Sequence, residues 1–325
     1  MAGAPWTLGQ TLLGAFAARL RQLVLASALV VCLTPAIARA EVTDVVVTIK
    51  PIHSLVAQVM EGVGVPVLLV DGAASPHSFS LRPSQVRAIN TAGVFIRVSE
   101  RLEPFTGKIV RALPDDVQLV TLVDVPGIKL LSRREDGTFD DHVHAPGDSH
   151  DTVKDSHLWL DPDNAKVIGN YLAGVLSARY PEHAERFKAN AERLSSEVDA
   201  LTGELEAATN PLRDRPFVVF HDAYQYFDAR FRLDAVGSIT VSPEVQPSAK
   251  RLTELRRKIR SLKAVCVFAE PYFQPALVAA VIEETDARAG TLDPEGLSLE
   301  PGPRLYFQLM RNLAASLKSC LAPAT

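Results

Sequence analysis

Cysteine is scarce: three in 325 residues, at positions 32, 266 and 320. That excludes a disulfide-dense mini-protein. Cys266 and Cys320 have no Cys or His beside them at ligand spacing, which argues against a cysteine metal cluster. Basic excess is missing too. Thirty-four Lys and Arg stand against 38 Asp and Glu, a net charge of −4. Nothing is left over to neutralise phosphates, which argues against nucleic acid as a partner. Eighteen glycines are too few for collagen, and 47% hydrophobic residues with 22% charged is not the composition of a disordered chain. What remains is a soluble, mildly acidic protein long enough for two domains, each able to bury a core.

An uninterrupted apolar run of membrane-spanning length is also lacking. Between Arg21 and Arg39 the chain is uncharged, but Thr34 and Pro35 break it, short of the roughly 20 residues a span needs. Arg19 and Arg21, the apolar stretch 23–33 and the small residues Ala38 and Ala40 instead form a cleavable signal peptide over residues 1–40. Cys32 follows Val31, which is not the small residue that a lipid-attachment site requires. Cleavage after Ala40 removes three arginines and takes the net charge from −4 to −7. It also leaves Cys266 and Cys320 as an even pair in an oxidising compartment. A bridge across that 54-residue interval would stabilise by about 4 kcal/mol. Two buried free thiols are the alternative.

Turning to what is present, valine-rich runs at 45–49, 65–70, 94–98 and 118–123 read as buried strands. Helical segments at 83–90 and 104–112 separate them. A second series follows at 217–220, 234–239, 264–269 and 289–292, with helices at 248–262 and 274–285. Alternation of this kind predicts an α/β fold: two βα lobes with largely parallel sheets. Between the series, Ala184, Phe187, Ala191, Leu194, Val198, Leu201, Leu205 and Ala208 recur at alternating gaps of three and four residues. They form one apolar stripe on a charged helix about 40 Å long. Either a coiled-coil partner or both lobes of the same chain would cover it. The boundaries are then 41–180 for the N-terminal lobe, 181–210 for the linking helix and 211–325 for the C-terminal lobe.

The compositionally odd segment is 140–157, DDHVHAPGDSHDTVKDSH, with four of the eight histidines. His/Asp-rich tracts of this kind hold transition metals loosely, so His142, His144 and His150 in the loop 140–156 form a secondary, weak metal set. His77 lies beyond the second strand run, His157 opens HLWLDP, and His221 directly follows the apolar run 217–220. Ligands collect at the carboxyl ends of such strands. One histidine there is unremarkable; three, drawn from both lobes, point to a metal. His53 reads as packed against the first sheet and His183 as solvent-facing.

The ordered series SPHSFSLRPS, HLWLDP, FVVFHDAYQYF, FAEPYF and TLDPEG resembles the periplasmic zinc-binding proteins of bacterial ABC importers, the ZnuA group of the metal-receptor cluster. The resemblance runs over the whole mature chain, including the linking helix and the late cysteine pair. It implies two lobes bridged by one long helix, with Zn²⁺ as transported ligand in the interlobe cleft. It implies His77, His157 and His221 as ligands. It also implies a fourth from Asp293 or from water, since Pro76 occupies the place where some members carry a glutamate. The implied partners are an ABC transporter permease and a periplasmic zinc chaperone, the implied state a monomer in the periplasm.

Three imidazoles with one oxygen suit tetrahedral Zn²⁺. Manganese-binding relatives place a carboxylate where His221 stands, as a harder ion prefers. A three-histidine zinc is also a catalytic arrangement, so a periplasmic zinc hydrolase is the second reading. No HExxH motif appears, and Glu270 in FAEPYF reads as a hydrogen-bonding residue at a strand end rather than a general base. A metal-dependent surface adhesin on the same fold is the third reading, and would want the lipid anchor that Val31 argues against.

Overall fold

A computed structural model describes residues 41–72, 74–134, 139, 153–240, 247–271 and 275–322. The expected signal peptide and the loop histidines His142, His144 and His150 lie outside the described residues. In chain order the first half holds β1 (Val45–Val47), α1 (Lys50–Val59), β2 (Val67–Leu68), α2 (Pro83–Asn90), β3 (Val94–Arg97), α3 (Gly107–Val110) and β4 (Gln118–Thr121). Then come α4 (Pro162–Arg179) and the linking helix α5 (Ala184–Thr209). The second half holds β5 (Phe217–His221), α6 (Gln225–Phe231), β6 (Ala235–Thr240), α7 (Ala249–Leu262), β7 (Cys266–Ala269), α8 (Pro275–Ile282), β8 (Arg288–Thr291) and α9 (Leu305–Leu321).

Each half builds a four-stranded parallel sheet, ordered β2-β1-β3-β4 and β6-β5-β7-β8. All eight expected strands form, most of them trimmed at the ends. The expected helix 104–112 divides into a 3₁₀ turn, Pro104–Thr106, and α3. The central strands β1, β3 and β5 are buried along their whole length. This is why they read as continuous apolar runs rather than as alternating ones.

The pleat sends successive side chains to opposite faces, and the two faces meet different neighbours. Val45, Val47, Val94 and Ile96 join Phe217, Val219 and Phe268 in one continuous core that spans both lobes. Val46 and Phe95 face an outer cluster with Ile89; Val218 and Phe220 face another with Leu255 and Ile259. The inner cores of the two lobes are therefore one core, not two.

Helix α5 explains that continuity. Phe187, Ala191, Leu194, Val198, Leu201 and Leu205 are all buried, and the helix packs on α1, α4 and α9 of its own chain. The stripe is thus covered without a partner helix. The approach to α4 is close: a methyl group on Gly169 would stand 2.6 Å from Leu194 Cδ2, so any larger residue there would push the Leu194 side chain out of its place. The Asn190 amide donates to the carbonyls of Val59 and Glu61 at 2.9 Å each, serving carbonyl groups at the end of α1 that the helix itself leaves unbonded.

Residues 294–306 carry the chain from the second sheet back across the first lobe. Trp159 Nε1 donates to Pro294 O at 2.9 Å, and Lys50 Nζ to Leu297 O and Leu299 O at 3.0 and 3.1 Å. The Tyr306 amide then donates to Ser54 Oγ at 2.9 Å, and its hydroxyl to Trp159 O at 3.0 Å. Cys320, near the end of α9, is disulfide-bonded to Cys266 at the start of β7, the pairing expected from the count. Replacing both cysteines with serine is expected to lower the melting temperature by several degrees. Metal stoichiometry should be unchanged, because neither sulfur belongs to the histidine cluster discussed below. Thermal scans with parallel metal analysis check both halves.

Glu103 is completely buried below the end of β3. It accepts from Thr48 Oγ1 at 2.5 Å, Val98 N at 3.1 Å and Ser99 N at 2.8 Å. Burial outweighs those donors and pushes its carboxyl up from 4.5 to about 7. The folded state therefore binds the proton more tightly than the unfolded chain. Its contribution to stability is therefore fully present below pH 4.5 and is lost, by about 3 kcal/mol, as pH rises through 7. Urea unfolding of Glu103→Gln between those pH values should show a flatter pH slope than the unsubstituted protein, whatever the offset from the altered hydrogen bonds.

Candidate metal centre

The carboxyl ends of both sheets face the same cleft, and each carries the polar groups that its topology predicts. In the first sheet the order reverses between β1 and β3. Thr48 and Ser99 follow those strands, and Ser99 Oγ meets Ser156 Oγ at 2.8 Å. That contact docks the segment 155–157 over the sheet end. In the second sheet the reversal falls between β5 and β7. His221 is the last residue of β5, and Glu270 immediately follows β7. Crevices at such reversals are where open α/β sheets hold ligands.

His77 lies in a turn after β2, its amide donating to Ser75 Oγ at 3.3 Å. His157 directly precedes the 3₁₀ turn Leu158–Leu160. With His221 these residues form a group in which one ligand nitrogen from each ring lies within 4.8 Å of the others. The ring centroids are 5.3–5.9 Å apart. A zinc ion about 2.1 Å from each nitrogen places those nitrogens about 3.4 Å apart, so small side-chain movements suffice to close the set on an ion.

Two carboxylates fix which nitrogen is offered. His157 Nδ1 is 2.7 Å from Asp155 Oδ1, and the same oxygen accepts from the His157 amide at 3.0 Å. His221 Nδ1 lies 2.7 and 2.9 Å from the two oxygens of Glu270. A carboxylate on Nδ1 holds the proton there and leaves the lone pair on Nε2. The buried Nε2 atoms of His77 and His157 have no hydrogen-bond partner, which is costly unless something else takes their lone pairs. His77 is pushed down to about 2, first by burial and then by the charges of His157, His221 and Arg133. Its imidazole is neutral at any physiological pH, the state in which nitrogen binds a metal.

Asp293 is not drawn into this group. Its Oδ1 accepts from the amides of Glu295 and Gly296 at 3.1 and 2.9 Å, and Oδ2 from Leu297 at 2.6 Å. The carboxylate is occupied in closing its own turn, where Gly296 takes φ +71°. Asp-Pro-Glu-Gly is a turn signature, so this role could be read from the sequence. Glu270 is the strand-end hydrogen-bonding residue expected. Asp155 was visible only as one acid among several in a His/Asp-rich tract. His183 departs from expectation: it is 5% exposed and its ring stands 6.1 Å from Phe187, folded inward at the start of α5. His53 is buried as expected, with Nε2 2.9 Å from Pro66 O.

Residues 45–320 match the family model described as ZnuA, zinc-uptake complex component A, periplasmic. The high-affinity zinc uptake system protein ZnuA of Brucella suis is 43% identical over 330 residues, covering 93% of this chain and 99% of that protein. A crystal structure of ZnuA superposes with a TM-score of 0.73 at 23% identity, over 87% of this chain and all of that one. The laminin-binding adhesin Lmb of Streptococcus agalactiae superposes with a TM-score of 0.72 at 25% identity, over 86% of this chain and 99% of that one.

Replacing Glu270 with glutamine exchanges a charged acceptor behind His221 for a neutral one. Zinc affinity should fall by about 10- to 100-fold with the stoichiometry kept, as read by competition against a chelator of known affinity. Unchanged affinity would make the 2.7 Å contact incidental to metal binding.

Proposed function

The chain belongs to the ZnuA family of periplasmic zinc-uptake components, and on that premise we propose that it captures Zn²⁺ in the interlobe cleft and hands it to the permease of an ABC importer. His77, His157 and His221 bind the ion through Nε2. Solvent supplies the fourth position in this reading: among the described residues only the three histidines form the group, and the Asp293 carboxylate closes its own turn. The single observation that carries the assignment is the convergence of three imidazoles from both lobes, two of them backed by a carboxylate.

The protein acts as a solute-binding receptor in the periplasm. It works as a monomer, since the stripe of α5 that could have sought a partner is covered within the chain. It turns over no substrate: the carboxylate nearest the cluster in the second lobe, Glu270, is held on His221 and is not free to act as a general base. An adhesin reading rests on likeness to Lmb alone.

His221 decides the metal. Its replacement by alanine should cost more than the ~10–100-fold expected for loss of an orienting partner, because a nitrogen donor itself is gone. Replacement by glutamate should narrow the preference for Zn²⁺ over Mn²⁺. It should also extend binding further into acid, since a carboxylate sheds its proton near ~4.3 and an imidazole near ~6.5. Isothermal titration of both variants with both ions is the test. Wild-type zinc affinity in His221→Ala would remove the three-histidine site.

A further inference from the structure

Residues 131–134, 139 and 153–155 leave the first lobe and lie against α6 and β6 of the second. The two legs are paired to each other: Arg133 N donates to Val153 O at 2.8 Å, and Asp155 N to Leu131 O at 2.9 Å. Both legs are also fastened to α6. The Tyr226 hydroxyl accepts from Leu131 N at 3.1 Å and donates to Asp155 O at 2.7 Å. Gln225 Nε2 donates to Ser132 O at 3.1 Å, and the Phe139 amide donates to Val236 O of β6 at 3.3 Å.

Arg134 forms the charged part of this attachment. Its guanidinium lies 3.2 Å from Asp222 Oδ1 and 3.9 Å from Asp228 Oδ2, and sits 3.8 Å over the ring of Phe139. Asp222 and Asp228 expose only 5% and 6% of their side chains. Buried carboxylates that carry charge need a cation, and the planar arginine fork presents several donors at fixed angles to both. Asp222 is also the residue after His221, while Asp155, which the strap carries, orients His157.

From this geometry we propose that Arg134 is a positioning residue for metal capture: by clamping the strap onto Asp222 and Asp228, it fixes the spacing between His157 of the first lobe and His221 of the second. The inference rests on those histidines being the zinc ligands. It adds that their separation is set by an ion pair outside the coordination sphere. The three ligand nitrogens lie within 4.8 Å of one another, and a held separation between His157 and His221 decides how readily the set closes on an ion and how long it stays closed.

The test uses the full mature chain and two variants, Arg134→Gln and Arg134→Gln with Asp228→Asn. Zinc release is followed by chelator competition, and ligand geometry by the visible bands of the Co²⁺-substituted site. The unsubstituted protein is the control for the three-histidine reading: its Co²⁺ bands must show tetrahedral nitrogen ligation, and if they do not, that reading fails before Arg134 is tested. Arg134→Gln should bind one equivalent of zinc, release it at least about tenfold faster, and shift the Co²⁺ bands. The double variant also removes the buried Asp228 carboxyl that Arg134→Gln leaves without its partner, so it should recover melting temperature but not the slow release. A folded Arg134→Gln protein with wild-type release and Co²⁺ bands would overturn the proposal. So would a double variant in which slow release returns together with stability, since Arg134 would then only neutralise charge. If Arg134→Gln does not fold, the double variant carries the same readings.

Discussion

Two hydrogen bonds, Asp155 to His157 and Glu270 to His221, set the terms for the rest of the cleft. A buried imidazole with one nitrogen unpartnered is unfavourable, and His77 and His157 are both of that kind. The carboxylates make the arrangement tolerable by pinning each proton on Nδ1, and useful by leaving Nε2 basic. Each carboxylate must itself be held. Glu270 comes from the end of β7, beside β5 and its His221, so the parallel pairing of two strands delivers both partners. Asp155 has no strand to place it and depends on the Ser99–Ser156 contact and on the Tyr226 hydroxyl.

The shared core gives this placement its rigidity. A receptor whose lobes each had a private core could hinge widely about a loop. Here Val47, Ile96, Val219 and Phe268 contribute to one apolar interior with α5 and α9, and residues 294–306 are stitched to α1 by main-chain carbonyls. Opening the lobes as rigid bodies would expose part of that interior, at about 25 cal/mol for each Å² uncovered. Metal exchange by small movements of His77, the strap and the sheet ends avoids that cost.

The parts of this design that depend on local sequence were legible in it. Buried central strands announce themselves as valine runs, and α5 as a stripe of period 3.6. A histidine at the end of an apolar run sits at a sheet end almost by definition, as His221 does. What depends on long-range pairing was hidden. Nothing in the run 94–98 says that its inner face meets the inner face of 217–220, and nothing near Cys320 says that α9 crosses to α1. Asp155 looked like one acid among five because its role comes from a main-chain bond to Leu131 and a hydroxyl 71 residues away. His183 was misplaced because helical periodicity assigns no face to the turn before the helix.

The engagement of Asp293 bears on selectivity. Divalent ions of the first transition row bind any nitrogen site in an order that places Cu²⁺ above Zn²⁺ and Mn²⁺ far below. A receptor cannot change that order, but it can widen the lower gap by withholding oxygen. Asp293 accepts from three amides, and Asp155 and Glu270 are turned toward Nδ1 of His157 and His221; in the proposed site these carboxylates would act on a dication through the imidazoles rather than by touching it. A hard ion such as Mn²⁺ gains little from three nitrogens, while Zn²⁺ gains the ligands it prefers. On the proposed three-histidine site, discrimination against Mn²⁺ would rest on the carboxylates being held on amides and imidazoles, and discrimination against Cu²⁺ on geometry and supply.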